Sequence, residues 1–273
     1  RNKMKEEEAY SILDIISESD GQSVILTRSG SICIPFELRQ PECYSLSPEE
    51  IDERDGMYRE AFRHMPDGTY VHKQDVFLKK EYHPGKGTGS FLDRADARHF
   101  EGRLYIDHTC ILHFVLAGLK SLEKAYVSSP LAYKEHLHRE DYRKLEAFLE
   151  GVDNAVSILQ NMRGNSVLPM SCEEISGFTR AYSGLFGDTD AVVDIHVDGS
   201  LHVGKNHARC YAVCDETFLP EGNIESYVRD ESLPPAASQL YHPLMEQLGM
   251  YLPYNHIVNQ VIYLSLIHIS EPT

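Results

Sequence analysis

The order of apolar and polar positions along the chain switches between two periods, and each switch marks the edge of an element. Val24 and Leu26, a Ser29-Gly30 turn, and Ile32, Ile34 and Phe36 alternating with smaller residues predict a strand pair or one long bent strand over Val24–Leu38. A helix follows: Ser47 caps it, Pro48 sits where a missing N–H costs nothing, and Glu50 completes a capping box. Ile51, Tyr58, Phe62 and Met65 then fall on one face, and Pro66-Asp67-Gly68 stops it. Tyr70–Lys80, rich in aromatic and branched residues, predicts the next strand. His83–Ser90 reads as a glycine-bearing loop, Phe91–Phe100 as a short helix and Arg103–Leu119 as a long strand.

After a break at Ser128-Ser129-Pro130, Asp141–Met162 is the strongest helix. Leu145, Leu149, Val152, Val156, Leu159 and Met162 recur three and four residues apart until Arg163-Gly164-Asn165. A second capping box, Ser171 to Glu174, opens a helix carrying Ile175, Phe178, Tyr182 and Leu185. Ala191–Val203 reads as a hairpin whose apolar residues share a face only if Asp198-Gly199-Ser200 is a three-residue loop, a register that sets His196 opposite His202. Arg209–Asp215 predicts one more strand, and beyond Phe218 prolines 220, 234, 235, 243 and 253 punctuate a stretch without long periodic segments. This order predicts an α+β fold, an antiparallel sheet with helices packed mainly on one face, followed by a Pro-rich linker. The domain reading is 9–218 for that unit and 219–264 for the linker and the start of a further domain.

Composition narrows the function classes. With 26 Lys+Arg against 42 Asp+Glu the formal charge is −16, and a surface that acidic repels phosphate backbones, so direct nucleic-acid binding is not expected. Apolar residues make up 42% and charged residues 25%, which excludes disorder and fibres. The most apolar stretch, Leu104–Leu119, is interrupted by Asp107, His108 and His113 and is no bilayer span. Six scattered cysteines in a charged-headed chain without a signal-peptide pattern fit reduced thiols in a cytosolic compartment. The opening Arg1 suggests a true start upstream. Residues 265–273 read as a non-native tail and are set aside from the fold.

The candidate chemistry is thin. Gly199–Asn206 has the glycine-to-Gly-Lys spacing of a phosphate loop, but Asn206 takes the hydroxyl position and a strand, not a helix, is expected next. Gly85–Ser90 has the wrong order for such a loop. Cys210 and Cys214 on one strand would start about 13 Å apart, too far for Zn–S bonds near 2.3 Å. His196 and His202 supply two metal ligands where a site needs more; His136/His138 and Cys110/His113 are weaker pairs. The acidic runs Asp52–Asp55 and Asp188–Asp190 read as solvated faces or turns. No nucleophile elbow, His-Glu-x-x-His or dinucleotide fingerprint occurs. No residue is therefore assigned a catalytic, cofactor-binding or metal-binding role.

Two blocks do carry a family resemblance. Met65–Phe77, with Val71-His72-Lys73-Gln74-Asp75-Val76-Phe77 at its end, resembles a stretch in the N-terminal region of TraG-type conjugative transposon ATPases. Ser90-Phe91-Leu92, Arg98-His99-Phe100 and Arg103–His108 add to it, and Leu252–Gln260 is similar to the segment that leads toward the motor of those proteins. The resemblance spans roughly Ala9 to Tyr263. It implies a non-catalytic docking domain of a cytoplasmic ATPase at the inner face of the membrane, oligomeric when full length. Such an ATPase serves a conjugation apparatus related to type IV secretion, and this region would meet channel subunits. ATP and magnesium would belong to a motor C-terminal to these residues, so no nucleotide-site residue carries over. His72–Asp75, on the strand, reads as an edge, an interface or a packing motif without a ligand. The rival readings are a small metal-dependent hydrolase built on His196, His202 and neighbouring carboxylates, and a general protein-binding adaptor.

Overall fold

The strand periods of the sequence become one large sheet in the computed structural model, which describes residues 12–17, 22–27, 29–41, 47–63, 65–84, 90–119, 139–187, 195–197, 201–203, 206–210 and 255–264. Its strands are β1 (Ile12–Ser17), β2 (Ser23–Thr27), β3 (Ile32–Arg39), β4 (Thr69–Glu81), β5 (Leu104–Leu116), β6 (Ser166–Pro169) and β10 (His256–Leu264). They form a seven-stranded sheet in the order β1-β2-β3-β5-β4-β10, with β6 against β3. Every pairing is antiparallel. Strands β7 (Ile195–Val197), β8 (Leu201–Val203) and β9 (Asn206–Ala208) make a separate three-stranded meander. Four helices lie among the described residues: α1 (Pro48–Arg63), α2 (Phe91–Phe100), α3 (Arg139–Asn161) and α4 (Cys172–Ser183).

Alternation along the strands sorts side chains to two faces. Leu26, Ile32, Ile34, Phe36, Leu38, Leu112, Phe114 and Leu116 meet Tyr58 and Phe62 of α1 and Phe148, Val152 and Leu159 of α3 in the main core. Phe114 anchors it, with the Phe36 ring edge-on at 5.8 Å and the Phe62 ring at 5.9 Å. On the opposite face Ile25, Cys33, Ile111 and Val115 form a smaller cluster with Met170 and with Ile175 of α4. The α+β architecture with its two longest helices on one face is thus present. The proline-punctuated stretch 211–254 lies outside the described residues.

Local signals explain where the elements start and stop. The Ser47 N–H donates to Glu50 Oε2 at 2.9 Å while the Glu50 N–H donates to Ser47 Oγ at 3.2 Å, so α1 opens on the expected capping box. After the helix, Gly68 takes φ 81° in the turn into β4, a conformation that costs glycine no side-chain clash. Arg54, beside exposed Asp52 and Glu53, is buried and donates to the Arg163 carbonyl at 2.9 Å, tying α1 to the end of α3. Helix α4 repeats the box, with Ser171 Oγ accepting from the Glu174 N–H at 3.3 Å and Glu174 Oε2 accepting from the Ser171 N–H at 2.8 Å. Ser171→Ala is expected to lower the unfolding free energy by about 0.5–2 kcal/mol, read by urea melts; a change within a few tenths would show that the cap is redundant.

Four sequence expectations change. Leu149 of α3 is 41% exposed; the buried stripe is Phe148, Val152, Ala155 and Leu159, because small Gly151 and Ala155 let that side of the helix approach the sheet. The strand expected at Arg209–Asp215 is instead β9, Asn206–Ala208; Arg209 and Cys210 lie outside it, and 211–215 are not among the described residues. The segment 256–264, placed by its sequence in a linker and following domain, is the edge strand β10, paired with β4 from His256↔Phe77 to Leu264↔Thr69. Strands β1 and β6 also appear where no periodic signal marks them, being six and four residues long.

Candidate functional site

The quartet His72-Lys73-Gln74-Asp75 is not at an edge. β4 lies between β5 and β10, so the four side chains are divided between the two faces of an interior strand. Lys73 and Asp75 share the α1/α3 face with their register partners Leu112 and Cys110. Both are 2% exposed, and Lys73 Nζ lies 2.5 Å from Asp75 Oδ2. His108 Nε2 donates to Asp75 Oδ1 at 2.9 Å. Burial pushes the Asp75 carboxyl up, but the Lys73 ammonium and the His108 hydrogen bond outweigh it and hold the group at about 2. One step along, the Phe77 ring lies between His108 and His256, with centroids 4.5 and 4.6 Å away and planes within 9° of parallel. The charged pair is enclosed between sheet and helices, and through His108 it ties β4 to β5.

The other face opens into a cavity of about 230 Å³ between the sheet and α4. Its walls are apolar, from Ile12, Ile25, Met170, Ile175 and Phe178, and its polar floor is His72, Gln74 and His113. Asn259 of β10 holds that floor: its Oδ1 accepts from Gln74 Nε2 at 2.9 Å and meets His72 Nε2 at 2.9 Å, which places the imidazole proton on that nitrogen. The His72 and His113 rings stack at 5.2 Å. Burial lowers the pKa of His113 to about 3, with the His72 ring adding to the shift. Burial also lowers His72, against the Asn259 hydrogen bond, so both rings are neutral at pH 7.

Cys33 Sγ lies 3.6 Å from His113 Nδ1, a thiol–imidazole pair of the kind that makes a nucleophile when thiolate faces imidazolium. Here both shifts run the other way. Burial pushes the Cys33 thiol up to about 12, and the ring beside it resists protonation. The pair therefore rests as S–H and neutral imidazole rather than as the thiolate–imidazolium pair of an activated nucleophile.

The remaining candidates are dispersed. Asn206 of the phosphate-loop-like run begins β9 and is followed by strand, so no helix N-terminus stands there for an anion; residues 199, 200, 204 and 205 lie outside the described ones. Cys110 belongs to the main core while His113 lines the opposite cavity, as three residues of strand spacing require. Cys210 is exposed and outside any strand; Cys214, His136, His138, Asp188–Asp190 and 85–89 are not among the described residues. The hairpin register is as expected, His196↔His202, and β9 adds His207 opposite His202, with rings 4.0 Å apart. Among the described residues no group of three or more His, Cys, Asp or Glu side chains is placed to hold a metal ion.

Sequence reasoning missed Cys33 and Asn259. Their partners lie 80 and more than 180 residues away in the chain, and no local pattern signals such a contact.

Comparison of the chain with protein-family models gives no match, and comparison with curated proteins gives none either.

Proposed function

We propose that this chain is a non-catalytic docking domain of a conjugative transfer ATPase, coupling a motor to channel subunits at the cytoplasmic face of the inner membrane. One observation carries the reading. The two blocks that resemble TraG-type ATPases, Val71–Phe77 and Leu252–Gln260, are far apart in sequence, yet their strands pair residue for residue from Phe77↔His256 to Lys73↔Gln260. Asn259 binds His72 and Gln74, Asn255 Oδ1 accepts from the Lys79 N–H at 2.8 Å, and His256 stacks on Phe77. Each block is thus the other's complement, which gives a physical reason for the two to occur together. The resting chemistry of Cys33 and His113 supports a binding rather than a catalytic role. Among the described residues no helix is long and apolar enough to cross a membrane, so contact with channel subunits would be peripheral.

The test is capture of the tagged chain from detergent-solubilised membranes of a conjugating donor. Channel subunits are expected to be enriched over a tagged control, and their absence sinks the docking reading; soluble partners alone would favour a general adaptor. The purified chain with magnesium and ATP is expected to show no turnover, whereas a rate on the order of 1 s⁻¹ or more would make it an enzyme. The metal-dependent hydrolase reading draws on the cross-strand row His196, His202, His207, and stoichiometric zinc or manganese in purified protein would favour it.

A further inference from the structure

The docking of channel subunits makes no use of the cavity under α4, whose lining is of two kinds. Met170, Ile175 and Phe178 wall it, and His72, Gln74 and His113 floor it. Among the described residues no Asp, Glu, Lys or Arg side chain lines it. An apolar cavity of about 150 Å³ is room enough for benzene. At about 230 Å³ this one holds a single ring with a small substituent.

The floor sets what the substituent must do. Gln74 is 5% exposed, and its Nε2 is engaged by Asn259 Oδ1 at 2.9 Å. Its Oε1 has no hydrogen-bond partner among the described residues. His72 donates from Nε2 to the same Asn259 oxygen, which leaves Nδ1 an acceptor, again without a partner among the described residues. Both side chains line the cavity, two residues apart on one face of β4. A ligand with an O–H or N–H satisfies such an acceptor while its ring covers the apolar walls, which water cannot do.

The same lining selects against charge. With no counter-charge among the described lining residues and both imidazoles neutral at pH 7, an ion entering here would shed its hydration without compensation. The walls favour a ring. Phe178 offers an aromatic guest a face or an edge, and the Met170 thioether adapts to its outline.

We propose that the cavity between the sheet and α4 binds a small uncharged ring compound that donates a hydrogen bond to the polar floor. Such a site is independent of the docking of channel subunits, and its failure leaves that reading where it stands. The probe is phenol. The reporter is the Met170 methyl signal in the NMR spectrum of the full chain with methyl-labelled methionine, assigned among the seven methionines by Met170→Leu. Phenol is expected to shift that signal saturably, with a Kd on the order of 1 mM. Toluene, of the same shape but without the donor, is expected to bind about fivefold more weakly. Benzoate and benzylammonium at pH 7 are expected to leave the signal in place at the same concentrations. Ile175→Phe extends a wall into the space and is expected to weaken phenol about tenfold, with the other methionine signals unmoved. A Met170 methyl indifferent to phenol, or moved equally by benzoate or benzylammonium, overturns the proposal. So does toluene binding as tightly as phenol, or phenol binding undiminished in folded Ile175→Phe. If that variant does not fold, the four compounds on the unaltered chain decide the matter.

Discussion

Asp75→Ala is expected to lower the free energy of unfolding by about 3–5 kcal/mol. The aspartate itself is small, but its removal leaves the Lys73 ammonium, 2% exposed, without its counter-charge, and takes the acceptor from His108. The double variant Lys73→Met/Asp75→Leu removes both charges together and is expected to recover most of the loss, to within about 1 kcal/mol of the parent, since an apolar pair of similar volume replaces a desolvated ion pair at little cost. Urea melts of the three proteins decide it. If Asp75→Ala costs less than about 1 kcal/mol, water reaches Lys73 and the pair is not the enclosed tie described above. The same pair sets an acid limit. The Asp75 carboxyl is held at about 2, below its ordinary 3.8, so its contribution is present above about pH 4 and is lost as pH falls through the folded value.

The second large effect is a loss of stability on mild acidification, from pH 7 to pH 5, where Asp75 does not titrate. His113 in the folded protein resists protonation until about pH 3, while in the unfolded chain it binds a proton near 6.5. Between those values the unfolded state holds more protons, so stability falls as pH falls, by at most about 1.4 kcal/mol per unit for one histidine. The His113 ring borders a cavity that admits water, which brings the expectation nearer to half of that slope. His72, shifted in the same direction, adds to it. Cys33, the other titratable group against the ring, stays a thiol throughout this range. His113→Gln is expected to flatten the dependence of the urea midpoint on pH between 7 and 5, whatever it does to stability at pH 7. An unchanged slope would show that the ring is solvated and that the cavity floor is not a neutral imidazole pair.

Both effects involve β4, through Asp75 and through His72 stacked on His113 of β5, and the legibility of β4 differs along its length. That Thr69–Glu81 is extended was readable from its branched and aromatic residues. That His72, Lys73, Gln74 and Asp75 are adjacent on it was readable too, and their polarity left an edge, an interface and a packing motif open. The strand is interior, which a polar strand can be when each polar group finds a partner. Those partners, His108 on β5 and Asn259 on β10, come from other parts of the chain. The meander shows the same split: the His196–His202 register followed from loop length, but His207 joined the row only when the third strand began three residues earlier than its periodicity suggested.

What the amino-acid order determined by itself is what acts within a few residues: the capping boxes at Ser47 and Ser171, the strand and helix periods, the His196–His202 hairpin register, and the net charge of −16. What the tertiary structure alone decided is which faces met and what that did to the side chains between them. β10 closed over β4, Lys73 was carried out of water and so required Asp75, and Cys33 met an imidazole that burial keeps neutral. The reason is dielectric as much as geometric. The same residues in water would be an ordinary ammonium, carboxylate, thiol and imidazole, and the enclosure made by distant segments sets their protonation and their partners.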